Sequence, residues 1–173
     1  WERIVQEHQQ PVFRLAYLLL GDADDAEDVT QETFIRAYRA LDRFDSARSM
    51  RAWLLRIAAN LSHNWRRSSG RYILALQRLL RVQRAPFSTP QLAEHRLEDQ
   101  ALWESLRELA RADQQVIYLR YFLEVSEAET ADILGIPTGT VKSRLHRALA
   151  RLRAALEAET PQQVPEEMEE KHD

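Results

Sequence analysis

The chain has 173 residues, with 24 Lys and Arg against 27 Asp and Glu, and it contains no cysteine. The absence of cysteine excludes disulfide scaffolds, thiolate zinc sites and cysteine nucleophiles. With 45% hydrophobic and 29% charged residues, the composition is that of a globular soluble protein. No uncharged run is long enough to span a bilayer, and the N-terminal residues lack the apolar core of a signal peptide. We therefore expect a cytoplasmic protein without membrane insertion.

Charge is segregated along this nearly neutral chain. Residues 22–32 contain six acids and no base, whereas residues 138–156 contain five bases and no acid. Opposite local charges indicate two different kinds of partner, one basic and one polyanionic.

Apolar residues recur at helical spacing in almost every segment, and none of the segments alternates like a strand. We predict an all-α protein with two small helical domains joined by a partly helical linker. The first domain covers residues 1–70 and ends near Gly70, the linker covers 71–97, the second domain covers 98–157, and an acidic tail covers 158–173. Within the linker, residues 71–84 have the pattern of a basic amphipathic helix, and two prolines predict a flexible connection over 85–91.

The acids near the N-terminus lead into a helix predicted from Asp25 to Leu41. They do not fit an EF-hand calcium loop, because the sixth residue from Asp22 is Glu27 instead of glycine. Favourable charge at a helix N-terminus explains the Asp cluster but not its extension to Glu32. We interpret the acidic face as a docking surface for a basic partner helix.

A second helix is predicted over residues 50–67, with an apolar stripe on one side and a polar face on the other. The stripe consists of Met50, Trp53, Leu54, Ile57, Ala58, Leu61 and Trp65, and the polar face of Arg56, Asn60, His63 and Arg67, with Arg66 beside it. Tryptophans at this spacing are usually core residues. Cations, an amide, an imidazole and aromatic rings beside the non-helical segment 44–49 nevertheless suit single-stranded DNA.

The second domain contains a helix-turn-helix pattern. Ser126 and Glu129 predict a capping box, Gly135 permits a tight turn, and a second helix starts near Thr138. We expect Ala131 to lie where the two helices cross and Val141 to be buried there. The basic residues of the second helix have no acid on that helix to form i,i+4 pairs, so they favour DNA binding over an ordinary solvated face.

No catalytic or metal-binding residues are predicted. The histidines lack metal-ligand partners, and no nucleophile is paired with an oriented base. We therefore expect no enzyme activity and no cofactor.

Three motifs, Leu20–Phe34, Arg51–Leu61 and Ile136–Ala148, carry a resemblance to a known family. In order, spacing and identity they resemble extracytoplasmic-function (ECF) sigma factors of bacterial RNA polymerase, over about residues 4–67 and 98–156. The resemblance implies a factor that binds core RNA polymerase, at the beta-prime clamp helices and the beta subunit, and directs promoter-specific transcription initiation. The first domain would read and melt the minus-ten element, the second would read the minus-thirty-five element, and an anti-sigma factor is implied as a further partner.

The resemblance also implies roles for individual residues. The positions matching the clamp-docking part are Asp25, Glu27, Asp28, Gln31, Glu32 and Phe34. The positions matching the minus-ten loop and its helix are Phe44, Asp45, Ser46, Ala47, Arg48, Ser49, Trp53, Arg56, Asn60, His63, Arg66 and Arg67. Those matching the minus-thirty-five helix are Thr138, Thr140, Lys142, Ser143, Arg144, Arg147 and Arg151.

Three positions depart from the family pattern. Asn64 replaces a frequent Asp, which leaves minus-ten specificity open. Leu109-Ala110 replaces a frequent Leu-Pro, and Thr130 occupies a usually apolar position, so we expect a slightly weaker core in the second domain.

Two other functions fit parts of the sequence. A free-standing helix-turn-helix repressor or response regulator would need a dimerisation or effector domain, which residues 1–70 do not resemble. A protein that only sequesters a partner would leave the basic helix unexplained. The acidic tail is either a solvated segment or a competitor of DNA for the basic helix.

Overall fold

The computed structural model describes residues 1–80 and 97–159, with side chains over 1–65 and 100–158. Over those ranges it is helical and contains no strand, which confirms the all-α prediction. The helices are α1 (Glu2–Leu20), α2 (Ala23–Ala40), α3 (Met50–Leu80), α4 (Leu97–Glu108), α5 (Arg111–Ile117), α6 (Glu127–Leu134) and α7 (Thr138–Glu159). A 3-10 turn at Leu41–Arg43 follows α2, and a π-helical turn at Tyr118–Phe122 follows α5.

Helices α1, α2 and α3 form the first bundle. Gly21 ends α1 in the left-handed conformation, with φ 75°. Asp22 begins α2 by accepting a hydrogen bond from the backbone N–H of Asp25 at 3.0 Å. Part of the acidic cluster is therefore a helix cap, while the rest of α2 presents its outer face to solvent.

Helix α3 continues through Gly70 to Leu80, past the end of the first domain predicted near Gly70. A glycine inside a helix costs only about 1 kcal/mol relative to alanine. With no proline between Gly70 and position 86, that cost is too small to end a helix already started. The predicted basic helix over 71–84 is thus the extension of α3 as far as Leu80, and residues 81–96, including the expected connection at 85–91, lie outside the described residues.

Helices α4 to α7 form the second bundle, and its helix-turn-helix follows the predicted pattern. The Ser126 hydroxyl accepts a hydrogen bond from the Glu129 N–H at 3.2 Å and donates one to the Glu129 carboxylate at 2.9 Å. Gly135 turns the chain with φ 65°. Ala131 and Val141 are buried together with Val116, as predicted for the helix crossing.

The two bundles share one hydrophobic core. A single cluster of buried residues includes Leu15 and Leu54 from the first bundle and Leu106, Leu119 and Ile133 from the second. Helix α6 packs directly on α3, and α1 contacts the π-helical turn. The domains are therefore closed on each other, with the helix-turn-helix against α3.

Thr130 places an unpaired hydroxyl in the interior of the second bundle. Its side chain is fully buried, and its hydroxyl has no hydrogen-bond partner among the described residues. Thr33, equally buried in α2, donates its hydroxyl proton to the Val29 carbonyl at 2.7 Å. An unsatisfied buried hydroxyl costs stability, whereas a bonded one does not.

We expect Thr130→Val to raise the free energy of unfolding by about 1 kcal/mol, because it removes the unpaired hydroxyl and keeps the shape of the side chain. Thermal unfolding followed by circular dichroism measures the change. Thr33→Val is the matched control and should be neutral or destabilising. Equal effects of the two variants would contradict the assignment.

Candidate functional site

The exposed face of α2 carries most of the predicted docking residues. Glu27, Asp28 and Gln31 are exposed, and Asp25 and Glu32 are half-buried, so these acids share the outer side of the helix. Their charge is only partly neutralised within α2. The closest basic group is the Arg36 guanidinium, 2.6 Å from the Glu32 carboxylate.

Phe34 does not belong to this outer face. It is 8% exposed and lies edge-on to the Trp1 ring, with centroids 6.2 Å apart. Ile35 and Tyr38, which were not predicted, are instead 45% and 62% exposed. Continuing the helical period from Asp28 through Gln31 would have identified both, since positions 28, 31, 35 and 38 lie along one side of a helix. The outer face of α2 is therefore an acidic stripe that ends in two apolar side chains.

The segment 44–49 is anchored at one end and open at the other. The Phe44 ring lies against Trp53 with a centroid distance of 4.7 Å, and both side chains are half-buried. Residues 45–49 are exposed. The Asp45 carboxylate accepts a hydrogen bond from the Ala47 N–H at 3.0 Å, and the Ser49 hydroxyl caps α3 by accepting from the Ala52 N–H at 3.2 Å. The loop thus has a fixed shape and exposed polar atoms.

The polar face of α3 lies next to this loop. Arg56, Asn60 and His63 are exposed, whereas Leu54 and Ala58 of the predicted stripe are fully buried. The loop and the polar face together form a continuous surface with cationic and amide groups. The side chains of Arg66 and Arg67 lie outside the described residues.

Helix α7 presents a second basic surface at its N-terminal turns. Thr138, Lys142, Ser143 and Arg147 are exposed, and Thr140 and Arg144 are half-buried. The Lys142 ammonium lies 3.4 Å from the Glu127 carboxylate, a pair exposed enough to exchange for a phosphate contact.

Arg151 was also predicted for this basic surface, but its guanidinium is held in an ion pair with another helix of its own domain. Its guanidinium pairs with the Asp113 carboxylate, whose side chain is only 7% exposed. Asp113 lies on α5, a different helix of the same domain as α7. The pair therefore ties α7 to its own domain, and spacing along α7 alone could not reveal this partner from 38 residues away.

The first domain's polar face also touches the second domain. Arg51 donates a hydrogen bond to the Leu123 carbonyl at 2.6 Å, and Arg56 donates one to the Asp132 carbonyl at 3.3 Å. His63 and Ser62 line a small cleft with Arg111 of α5.

Two side chains of α1 have a shifted pKa. Burial raises the pKa of Tyr17, the Arg107 guanidinium of the second domain opposes that rise, and Asp22 adds to it. Burial lowers the pKa of His8 on α1, Glu7 opposes the change, and Arg51 adds to it. Neither group belongs to the predicted surfaces. Only Tyr17 is affected by a charged group of the other bundle, the Arg107 guanidinium.

Among the residues whose side chains are described, no three His, Asp or Glu are placed to hold a metal ion. None of the helices in the described ranges combines the length and apolar character needed to cross a lipid bilayer. Within the described residues, the predicted surfaces are an acidic stripe on α2 and basic surfaces on α3 with its loop and on α7.

Comparison with known proteins identifies the family. The Sigma-70 region 2 model matches residues 4–72, and the Sigma-70 region 4 model matches residues 99–152. The ECF RNA polymerase sigma factor SigW of Bacillus subtilis is 35% identical over 163 residues, covering 88% of this chain and 87% of the relative. The chain is an ECF sigma factor. The sigma factor SigL of Mycobacterium tuberculosis is similar as well, at 37% identity over 155 residues, with 89% of this chain and 87% of that protein covered.

Solved structures of sigma factors have the same fold as this ECF sigma factor. A chain from the co-crystal structure of the sigma factor RpoE with the anti-sigma factor NepR from Bartonella quintana matches with a TM-score of 0.74 and 26% identity, covering 92% of this chain and 98% of that one. A chain from the structure of CnrH with the cytosolic domain of CnrY matches with a TM-score of 0.69 and 30% identity, covering 92% and 88%. As a sigma factor, the protein binds core RNA polymerase and promoter DNA and directs transcription initiation.

We expect Arg151→Ala to lower the free energy of unfolding of this sigma factor by about 1–3 kcal/mol, because the Asp113 carboxylate is left buried without its partner. Urea unfolding measures the change. Arg153→Ala removes an exposed arginine from the same helix and should leave the urea midpoint unchanged. If the two substitutions have equal effects on stability, the pair does not tie α7 to its domain.

Proposed function

We propose that each of the three exposed surfaces of this sigma factor binds a different partner. The α2 stripe docks on the clamp helices of the polymerase beta-prime subunit, the 44–49 loop and α3 read the minus-ten element as single-stranded DNA, and α7 reads the minus-thirty-five element as duplex. The observation that carries the proposal is the separation of charge between surfaces, acidic on α2 and basic on α3 and α7. Run-off transcription with core enzyme tests the whole assignment.

The α2 stripe suits a basic helical partner. Asp28 and Gln31 supply acceptors, while Ile35 and Tyr38 supply apolar area at the end of the same stripe. Charge complementarity steers the encounter and fixes its register, and the burial of apolar side chains contributes most of the affinity.

Charge reversal of Asp28 and Glu32 to Lys should abolish co-elution with core polymerase in gel filtration, because both acids would then face a basic partner. Tyr38→Ala should weaken binding by about 1–3 kcal/mol through the loss of buried aromatic area. Asp42→Lys reverses an exposed acid in the turn after α2 and serves as the control. Unchanged core binding by the double reversal would remove the docking role from α2.

The loop and α3 suit a single strand. Ser46 and Arg48 are exposed polar side chains on a loop of fixed shape, and Arg56 and Asn60 extend the surface along α3. Such groups bind phosphates and the edges of an unstacked base. Trp53 supports the loop from below by packing on Phe44.

The α7 surface suits the major groove. Its basic residues begin at the N-terminal turns of the second helix of a helix-turn-helix, the part that enters the groove. Arg144 and Arg147 are the long cations of this surface, and Arg147 is steadied by donating a hydrogen bond to the Ser143 carbonyl at 3.2 Å.

Arg144→Ala and Arg147→Ala should each weaken minus-thirty-five binding by about 1–3 kcal/mol where the side chain is bidentate to guanine. A substitution that removes a phosphate contact should weaken binding to all promoter sequences alike and reduce the salt dependence of that binding. Binding of the polymerase holoenzyme to promoter variants separates the two cases. Arg153→Ala, lower on the same helix, is the control. If neither substitution changes affinity or transcription, α7 does not read the promoter.

We expect the partners that regulate this sigma factor to bind the same surfaces. RpoE and CnrH were each solved with a second protein, and their folds are similar to this chain over both domains, which supports an anti-sigma partner here. The acidic tail beyond residue 159 lies outside the described residues and remains a candidate competitor for the α7 bases. We place the protein in the cytoplasm, as a transcription factor without catalytic activity of its own.

A further inference from the structure

The 44–49 loop carries one acid, Asp45, on the surface that the proposed function assigns to single-stranded DNA. The side chain of Asp45 is exposed. A carboxylate at such a surface repels the phosphates of a nucleic acid, so by charge alone this position would favour a neutral or basic residue. An acid here must therefore contribute something to the loop that offsets the repulsion.

One carboxylate oxygen of Asp45 shapes the turn of the loop. The Oδ1 atom accepts a hydrogen bond from the Ala47 N–H at 3.0 Å, and the Asp45 carbonyl accepts one from the Arg48 N–H at 2.9 Å. An Asp side chain that bonds the backbone two residues further on makes an Asx turn, which sets the direction of the chain locally. The two bonds together close residues 45–48 into one turn.

The turn lies between two anchored ends. The Phe44 N–H donates a hydrogen bond to the Leu41 carbonyl at 3.0 Å, and the Phe44 ring packs on Trp53. At the other end the Ser49 hydroxyl caps α3. Because each end is fixed by contacts of its own, the arrangement of the exposed residues 46–48 depends on the turn that Asp45 makes.

The second carboxylate oxygen of Asp45 lies beside Arg48. The Oδ2 atom is 3.7 Å from the Arg48 Nε atom, and the two side chains are 62% and 64% exposed. Ion pairs this exposed contribute little stability and weaken further as salt screens them. The pair therefore keeps the guanidinium at the loop while leaving it free to exchange the carboxylate for a phosphate.

We infer that Asp45 is a positioning residue of the minus-ten loop, in which Oδ1 fixes the turn and Oδ2 holds Arg48 until a phosphate of the strand displaces it. This role rests on the proposed binding of the minus-ten strand by the loop. Asp45 then has two opposite effects on binding. The turn favours the strand, because a preorganised loop loses less conformational entropy, whereas the negative charge lowers the affinity for phosphate.

Nuclear magnetic resonance relaxation of the full chain without DNA tests the turn. Asp45→Asn and Asp45→Ala remove the same charge, but only asparagine keeps an oxygen that can accept from the Ala47 N–H. The backbone order parameters of Ala47 and Arg48 should be the same in the parent and in Asp45→Asn, and lower in Asp45→Ala. Equal order parameters in the two variants would overturn the role of Asp45 in the turn.

Strand binding by the holoenzyme tests the exchange of Arg48. The probe is a fluorescent single strand with the minus-ten element of a promoter found by run-off transcription, and fluorescence anisotropy measures its affinity. Asp45→Asn should tighten binding about 2–5-fold at low salt, and the gain should shrink as salt is added. Asp45→Ala should bind about 2–10-fold more weakly than Asp45→Asn, because the turn is lost.

Asp42→Asn is the matched control, since it removes an exposed acid from the preceding 3-10 turn and should leave strand affinity nearly unchanged. Binding by Asp45→Asn that is no tighter than that of the parent, or a gain that Asp42→Asn reproduces, would overturn the exchange.

Arg48→Ala separates the exchange from simple repulsion. Asp45→Asn should tighten strand binding less when Arg48 is alanine, because no guanidinium remains to be released. An equal gain in both backgrounds would overturn the exchange. If replacing Ser46 and Arg48 together with alanine leaves strand binding unchanged, the loop does not bind the strand and the proposed function fails, while the relaxation measurement still decides the turn.

Discussion

The double burial of α3 is the constraint on which the rest of the structure depends. The helix packs on α1 and α2 in the first bundle and on α6 in the second, and its buried residues belong to the core cluster that both bundles share. Small side chains such as Ala58 and Ala59 let neighbouring helices approach closely. The exposed strip with Arg56, Asn60 and His63 is the part of α3, among its described side chains, that the proposed function assigns to DNA.

Helical periodicity predicted much of this structure from the sequence. The apolar stripe of α3, the cap at Ser126 and the turn at Gly135 are local features, and each was found where it was expected. Local patterns predict such features well because a cap or a turn depends on residues only three or four positions apart.

What the sequence did not reveal depends on contacts between distant residues. Phe34 is buried in the core with Val12 and Leu15 of α1, Arg151 pairs with Asp113 of α5, and Leu55 is buried in a cluster that includes residues of both domains. The continuation of α3 through Gly70 has a different reason: the intrinsic helix penalty of glycine is real but smaller than the gain from continuing a helix. Periodicity assigns a narrow stripe to a helix, and it cannot anticipate how far contacts with another domain widen the buried face.

The turn around Glu124 shows how this arrangement limits the sequences that the chain can accept. Glu124 has a φ of 54°, the only non-glycine residue with positive φ in the described part of the chain. The carbonyl on one side of it accepts from Arg51 of the other domain, and the Val125 carbonyl on the other side accepts from Arg120. A left-handed residue other than glycine costs about 1 kcal/mol or more, and a β-branched side chain costs most. Mutational tolerance at this position should therefore be narrow because of the backbone alone: Gly, Asn and Asp would be accepted, whereas Val, Ile and Thr would be selected against.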